Sequence, residues 1–327
     1  MKITVLGAGA WGTALAHLLC EGVNEVTLWG HDASRLQAIA QSRSNHLYLP
    51  GIQLSSKLIC EPDLALALGS PDLVIMAVPS RVFRSLAGKL GGFQGIVVSA
   101  TKGIEAGTGL TMCGILAESA PGAKPAALSG PTLAMEVASG VPSAITVASG
   151  HAEVATFVQQ LFHRPRFRVY TSTDLKGVEM GGALKNVIAI AAGVCDGLGF
   201  GDNSKAALVT RGLAEMRRLG VAVGSRPETY TGLSGLGDLM VTCFSKLSRN
   251  RSFGEQIGRG KTVLEILKGS KSVVEGYPTA ASAHELIVRL GVDAPILTEM
   301  KALLYVGKNP ALVLEHLTAR DSKAESP

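Results

Sequence analysis

The chain has 327 residues, of which 46% are apolar, 17% charged and 5% aromatic, and its net charge is +5. That length suggests about two domains at roughly 100–200 residues each, and the low charge with ample apolar content excludes a disordered chain. The modest positive charge fits phosphorylated small molecules as well as nucleic acid, but no basic stripe is interleaved with aromatics, which argues against a nucleic-acid binder.

Residues 1–6 are β-branched and apolar and read as a short buried strand. Gly7-Ala8-Gly9-Ala10-Trp11-Gly12 follows at once, residues 13–19 read as a helix, and residues 23–29 as a second strand. This is one βαβ unit with G-x-G-x-x-G on its first turn. Gly7 permits the tight turn, Gly9 lets a pyrophosphate approach the backbone, and Gly12 lets helix and strand pack closely. The positive helix end then faces the pyrophosphate. The motif alone is weak evidence, but its place between strand and helix makes it specific. The competing reading is a Gly-rich turn with no dinucleotide.

A short helix is expected over residues 34–40, a loop over 42–53 and another short helix over 63–68. Residues 73–78 read as a buried strand ending in Pro79-Ser80, with Ser80 placed to cap the next helix. Residues 96–100 form a strand ending in Thr101-Lys102-Gly103, followed by a helix over 110–118. Residues 125–128 form a strand ending in Ser129-Gly130-Pro131-Thr132, and 143–148 and 167–170 read as later strands. The alternation predicts an α/β fold with a Rossmann-like doubly wound, mostly parallel sheet.

From residue 174 onward no segment reads as a strand. Helical patterns run from 174 through the 190s and over 203–219, 232–244, 249–257, 262–267, 275–290, 296–304 and 311–317. The expected organisation is a dinucleotide-binding domain over 1–180 and an all-helical substrate and catalytic domain over 181–327. The polar end, 321–327, is expected to be disordered.

The five cysteines are odd in number and form no C-x-x-C pair, which argues for a reducing compartment and against structural zinc. No charged n-region precedes an apolar h-region, and no apolar run reaches 18 uninterrupted residues. The expected location is the cytoplasm, without stable membrane insertion.

Ligands of open α/β sheets collect beyond the carboxyl ends of the strands, where Lys102 stands. It could meet an anionic or carbonyl oxygen, or be a solvated surface lysine. Residues 177–190 carry three glycines in a helical pattern, each costing about 1 kcal/mol against alanine, which suggests close packing of backbone or ligand. Lys185-Asn186 then precedes an apolar run. A desolvated lysine there gains a lowered pKa suited to acid–base work; the alternative is a lysine snorkelling from a helix end. The run Gly232-Leu233-Ser234-Gly235-Leu236-Gly237-Asp238 could turn N–H groups toward an anion, with Asp238 placed to cap a helix. Ser248-Arg249-Asn250 opens the next helix, as a phosphate site or as an ordinary N-cap with a surface arginine.

Together these motifs resemble bacterial NAD(P)-dependent glycerol-3-phosphate dehydrogenases. The resemblance is carried by Gly7 to Ala16, Leu28-Trp29-Gly30-His31-Asp32, Val78-Pro79-Ser80 and Ala100-Thr101-Lys102-Gly103. It continues through Ser129-Gly130-Pro131-Thr132, Gly182-Ala183-Leu184-Lys185-Asn186, the Gly232 to Asp238 run and Ser248-Arg249-Asn250-Arg251, and so covers nearly the whole chain. It implies interconversion of sn-glycerol 3-phosphate and dihydroxyacetone phosphate with NADP or NAD, feeding phospholipid synthesis, without a metal, and a homodimer. It implies Lys185 as proton donor and acceptor, with Lys102 and Asp238 beside it. It places Gly130, Thr132, Asn186 and Thr242 on the substrate side and Ser248, Arg249 and Asn250 at the phosphate. Its cofactor contacts are Gly7, Gly9, Ala10, Trp11, Gly12, His31, Lys102, Ala134, Arg249, Val273 and Glu275. One departure is Ala10, where serine is also common in the family, so only a backbone contact remains.

Two rivals stay open on the residues alone. A lysine-dependent dehydrogenase of a β-hydroxy acid would place a carboxylate where the phosphate sits. A non-catalytic dinucleotide sensor would need no paired lysines.

Overall fold

The computed structural model describes residues 1–269, 273–318 and 325; the expected disorder of 321–327 otherwise lies outside the described residues. The first half runs β1 (Lys2–Leu6), α1 (Ala10–Leu19), β2 (Glu25–Trp29), α2 (Ala33–Ser42), β3 (Ile59–Glu61), α3 (Leu64–Ala67), β4 (Leu73–Met76), α4 (Ser80–Ala87) and β5 (Ile96–Ser99). It continues with α5 (Met112–Ser119), β6 (Lys124–Ser129), α6 (Ala134–Ala138), β7 (Ser143–Ala148), α7 (Ala152–Phe162) and β8 (Phe167–Ser172). The eight strands form one sheet in the order β3-β2-β1-β4-β5-β6-β7-β8. Every neighbouring pair is parallel except β6 and β7.

Both faces of the sheet are covered, which is why the inner strands read as unbroken apolar runs. In β4, Leu73 and Ile75 join the core on one face, and Val74 and Met76 join the core on the other. The sheet is therefore the doubly wound arrangement that the alternation implied. Its first crossing is at β1, with β2 and β4 on either side, so the loop after β1 opens at the switch point where dinucleotides bind.

The helical half comprises α8 (Leu175–Gly197), α9 (Asp202–Ala222), α10 (Asp238–Phe244), α11 (Arg249–Gly258), α12 (Val263–Gly269), α13 (Gly276–Leu290), α14 (Pro295–Lys301) and α15 (Pro310–Thr318). No strand occurs after β8 among the described residues. Helix α8 is its spine, packed by α9, α10, α11 and α13 and buried from Gly177 through Val194. A helix buried on all sides shows no amphipathic stripe. By length and composition α8 could cross a membrane, but 94% of its most apolar window is buried inside the protein.

The crossing of α8 with α11 is backbone against backbone. A methyl added at Gly193 would overlap the carbonyl of Arg251, and one at Gly254 would overlap that of Ile190. One at Gly258 would lie 2.5 Å from the Val194 carbonyl oxygen.

Candidate active site

The first turn is built as the glycine spacing implied. Gly7 adopts φ +120°, and a methyl there would overlap the Ala77 carbonyl. A methyl on Gly12 would overlap the carbonyl of Gly7, so helix and strand touch only because both side chains are missing. Gly9 is different: a methyl there would meet nothing within 4 Å. Gly9 is also the N-cap of α1 and offers no side-chain acceptor, so the leading N–H groups of Ala10, Trp11 and Gly12 face that open space. This cradle fits a pyrophosphate. Ala134 opens α6, which packs on α1 beside it.

The end of β2 is closely packed. Gly30 is buried, and a methyl on it would stand 2.8 Å from the Ala8 Cβ; it is a packing glycine and opens no room toward a ribose. Asp32 is already engaged. It accepts from the Arg35 backbone N–H at 3.0 Å as the N-cap of α2, and from the Arg35 guanidinium at 2.7 Å. That first bond, then the guanidinium, holds its carboxyl below the ordinary value. Arg35 also lies over the Tyr48 ring, with its guanidinium carbon 5.2 Å from the centroid. His31 is exposed.

The ends of β5 and β6 meet α8 and α10 in a buried cluster. Lys102 Nζ lies 2.5 Å from Asp238 Oδ2, and Lys185 Nζ lies 3.0 Å from Asp238 Oδ1. Lys185 donates to Thr242 Oγ1 at 2.7 Å, and Thr242 donates onward to the Asp238 carbonyl at 2.6 Å. Lys102 also reaches the Gly130 carbonyl at 3.4 Å, which Thr132 Oγ1 shares at 3.2 Å. Lys185 is only 6% exposed, so it is desolvated and does not snorkel. Burial pushes its pKa down to about 8, helped by the Lys102 charge and opposed by Asp238. Burial alone would raise the Asp238 carboxyl, but Lys102 and Lys185 outweigh it and hold it below its ordinary value. Asp238 is not a helix cap: Gly237 holds that position, and the carboxylate is spent on the lysines.

The helical glycines explain how these groups converge. A methyl at Gly181 would lie 2.8 Å from the Ser234 carbonyl oxygen, and one at Gly182 2.5 Å from Ser129 Oγ and 3.5 Å from Lys102 Cγ. Side chains at either position would push α8 away from the loop that carries Asp238 or from the strand ends.

A second group adjoins the first. Asn186 Oδ1 accepts from Asn250 Nδ2 at 2.9 Å, while Asn250 Oδ1 accepts from the Gly276 N–H at 3.0 Å, tying α8, α11 and α13 together. Ser248 caps α11 by accepting from the Arg251 N–H at 3.2 Å. Arg251 Nε lies 2.6 Å from Asp196 Oδ2, which also binds Lys205 at 2.8 Å, and this braces the helix start. Arg249 is exposed, and its guanidinium makes no hydrogen bond or ion pair among the described residues, although the Glu275 carboxylate is near enough for the two charges to act on each other. It is left available to an anion at a capped helix start.

Glu275 stands where α13 begins, after the half-buried Val273. Its carboxylate accepts from the Ser80 N–H at 3.2 Å and from Ser80 Oγ at 2.7 Å. Burial raises its pKa against these bonds. Ser80 is thus the first residue of α4 and a partner of the helical half, and it caps nothing itself. No local signal could show this pairing, because 195 residues separate the two.

Comparison with known proteins decides the family. A model described as the N-terminus of NAD-dependent glycerol-3-phosphate dehydrogenase matches residues 2–155, and the corresponding C-terminus model matches residues 174–315. This chain belongs to the NAD-dependent glycerol-3-phosphate dehydrogenase family. A glycerol-3-phosphate dehydrogenase [NAD(P)+] of Citrifermentans bemidjiense is 48% identical over 99% of this chain and 98% of its own length. The crystal structure of the glycerol-3-phosphate dehydrogenase of Coxiella burnetii matches with a TM-score of 0.94 and 34% identity, over 98% of this chain and 99% of that one. The glycerol-3-phosphate dehydrogenase structure from Saccharomyces cerevisiae matches with a TM-score of 0.81 and 29% identity, over 96% and 98% of the two chains. Membership in this family makes the chain an NAD(P)-dependent oxidoreductase, and the resemblance read from its motifs holds along its length.

Proposed function

We propose that the chain interconverts sn-glycerol 3-phosphate and dihydroxyacetone phosphate, with Lys185 moving the proton and Lys102 steadying the reacting oxygen. The observation that carries this is the buried Lys102–Asp238–Lys185 cluster, with Arg249 at a capped helix start making no hydrogen bond or ion pair among the described residues. When bound, the nicotinamide ring supplies or takes the hydride at the secondary carbon. Gly7, Gly9, Ala10, Trp11 and Gly12 would hold the cofactor's pyrophosphate, and His31, Lys102, Ala134, Arg249, Val273 and Glu275 would be its other contacts. In the reducing direction, the Lys185 ammonium gives its proton to the carbonyl oxygen as the carbon is reduced, and the Lys102 ammonium stabilises negative charge growing on that oxygen. In the oxidising direction neutral Lys185 takes the hydroxyl proton. A pKa of about 8 keeps both forms within reach near neutrality.

Asp238 orients both lysines, and Thr242 fixes the Lys185 rotamer. Arg249, with Ser248, Asn250 and Asn186, grips the phosphate, while Gly130 and Thr132 border the carbon chain. Phosphate binding at a distance from the reacting carbon aligns it. The two units would be residues 1–180 and 181–327, joined along α8. The reaction would supply glycerophospholipid synthesis in the cytoplasm, and the chain would work as a homodimer. A phosphate grip, and not a carboxylate grip, is tested by Arg249→Lys. It should raise KM for dihydroxyacetone phosphate strongly and lower kcat, because lysine lacks the planar fork. Equal impairment with unphosphorylated dihydroxyacetone would refute the phosphate role.

A further inference from the structure

The segment between β5 and α5 leaves the sheet half and docks into the helical half. Among the described residues, Ile104 is the only buried member of the helical core that comes from ahead of α8; it is 4% exposed. The loop it begins is closed by an antiparallel bridge between Ile104 and Thr111 and by the Glu105 N–H donating to the Leu110 carbonyl at 2.9 Å. Its tip is held by α13, where Gly107 N–H donates to Glu285 at 2.8 Å and Arg289 donates to the Thr108 carbonyl at 3.3 Å. These outer contacts are exposed and each contributes little. The weight rests on the buried Ile104 side chain.

Ile104 lies two residues beyond Lys102, and two residues span at most about 7 Å. Gly103 between them adds no slack, since a methyl on it would stand 2.5 Å from the Ser80 Cβ. Seating Ile104 in the helical core therefore limits where Lys102 can stand.

We propose that Ile104 is a positioning residue: docked in the helical core, it sets Lys102 against Asp238, so that joining the two halves and assembling the lysine pair are one event. The inference rests on reading Lys102 as part of the reaction centre. A double-mutant cycle with Lys102→Met and Ile104→Ala, followed by reduction of dihydroxyacetone phosphate, tests both. Ile104→Ala should lower kcat by about 10–100-fold, the scale of a small misplacement, with KM nearly unchanged, and Ile104→Val should restore most of it. In the Lys102→Met background, Ile104→Ala should cost nothing further, because its effect passes through Lys102. Losses that multiply in the double variant would overturn the proposal. Wild-type kcat in Lys102→Met alone would overturn the reading on which it rests. If the alanine variant does not fold, the same cycle is run with Ile104→Thr, which keeps the branched shape.

Discussion

Replacing Asp238 with asparagine should move the reaction's pH dependence strongly to the acid side. The carboxylate lies 3.0 Å from Lys185 Nζ, in a site where Asp238 is 2% and Lys185 6% exposed. Burial and the Lys102 charge both favour the neutral amine, and Asp238 opposes them. A charge pair at about 4 Å is worth roughly 4 kcal/mol at an effective dielectric constant near 20. Each pKa unit is about 1.4 kcal/mol, so removing the anion lowers the lysine's pKa by up to about 3 units. Starting from about 8, Lys185 would then titrate near pH 5. At neutral pH it would be an amine with no proton to give, and reduction of dihydroxyacetone phosphate should fall by about two orders of magnitude. Oxidation of glycerol 3-phosphate, which needs the amine, should keep its base at lower pH than in the wild type. The assay is reduced-cofactor absorbance over a pH series in both directions, with saturating substrate. A falling limb of the reductive profile that stays where it is in the wild type would show that Asp238 does not govern the proton on Lys185.

Three other expectations follow from the geometry. Gly254→Ala forces a methyl against the Ile190 carbonyl and should destabilise by at least about 1–3 kcal/mol, lowering Tm by several degrees; Gly9→Ala faces open space and should leave Tm unchanged while weakening NADPH binding, as titration by fluorescence would show. Glu215 caps α14 by accepting from the Ile296 and Leu297 N–H groups, and burial raises its pKa from 4.5 to about 7. The protonated form is thus favoured by folding, so stability is fullest below about pH 4.5 from this group and declines through pH 7 by on the order of 3 kcal/mol; denaturant melts of Glu215→Gln should lack that slope, and an unchanged slope would assign it elsewhere. Arg35→Ala frees Asp32 from its ion pair, leaving an unpaired carboxylate at the end of β2 that disfavours a 2′-phosphate, and should lower the kcat/KM ratio of NADPH to NADH; an unchanged ratio would show that this pair does not set cofactor preference.

The parts of this molecule that read directly from sequence are those set by neighbours in the chain. The Gly7 to Gly12 turn, the buried strands and the Ser248 cap each depend on residues a few positions apart, so type and spacing suffice. Strand β3 and helix α6 were not legible because three and five residues are too few to show a period. Helix α7 was not read from the sequence either, although Val154, Ala155, Val158 and Phe162 recur at helical spacing and are buried on one face. Long-range pairing was beyond reach. Ser80 and Asp238 both look like caps by position, and both are diverted by partners far along the chain, Glu275 in one case and the lysines in the other. Lys185 could be read two ways because burial depends on what surrounds α8, and no pattern within α8 records that.

The glycine crossing of α8 and α11 has a bearing on how this enzyme could change its substrate. Lys185 and Arg249 ride on those two helices, and the helices touch through main-chain atoms at Gly193, Gly254 and Gly258. Main chain has no rotamers to exchange, so the separation of the proposed proton donor from the proposed anion grip cannot be tuned in small steps by repacking side chains. A lineage selecting a longer phosphate ester would have few gradual routes open to it. It would have to rebuild the 245–248 turn that leads into α11, and we expect adaptive substitutions to concentrate there, with the crossing glycines left untouched.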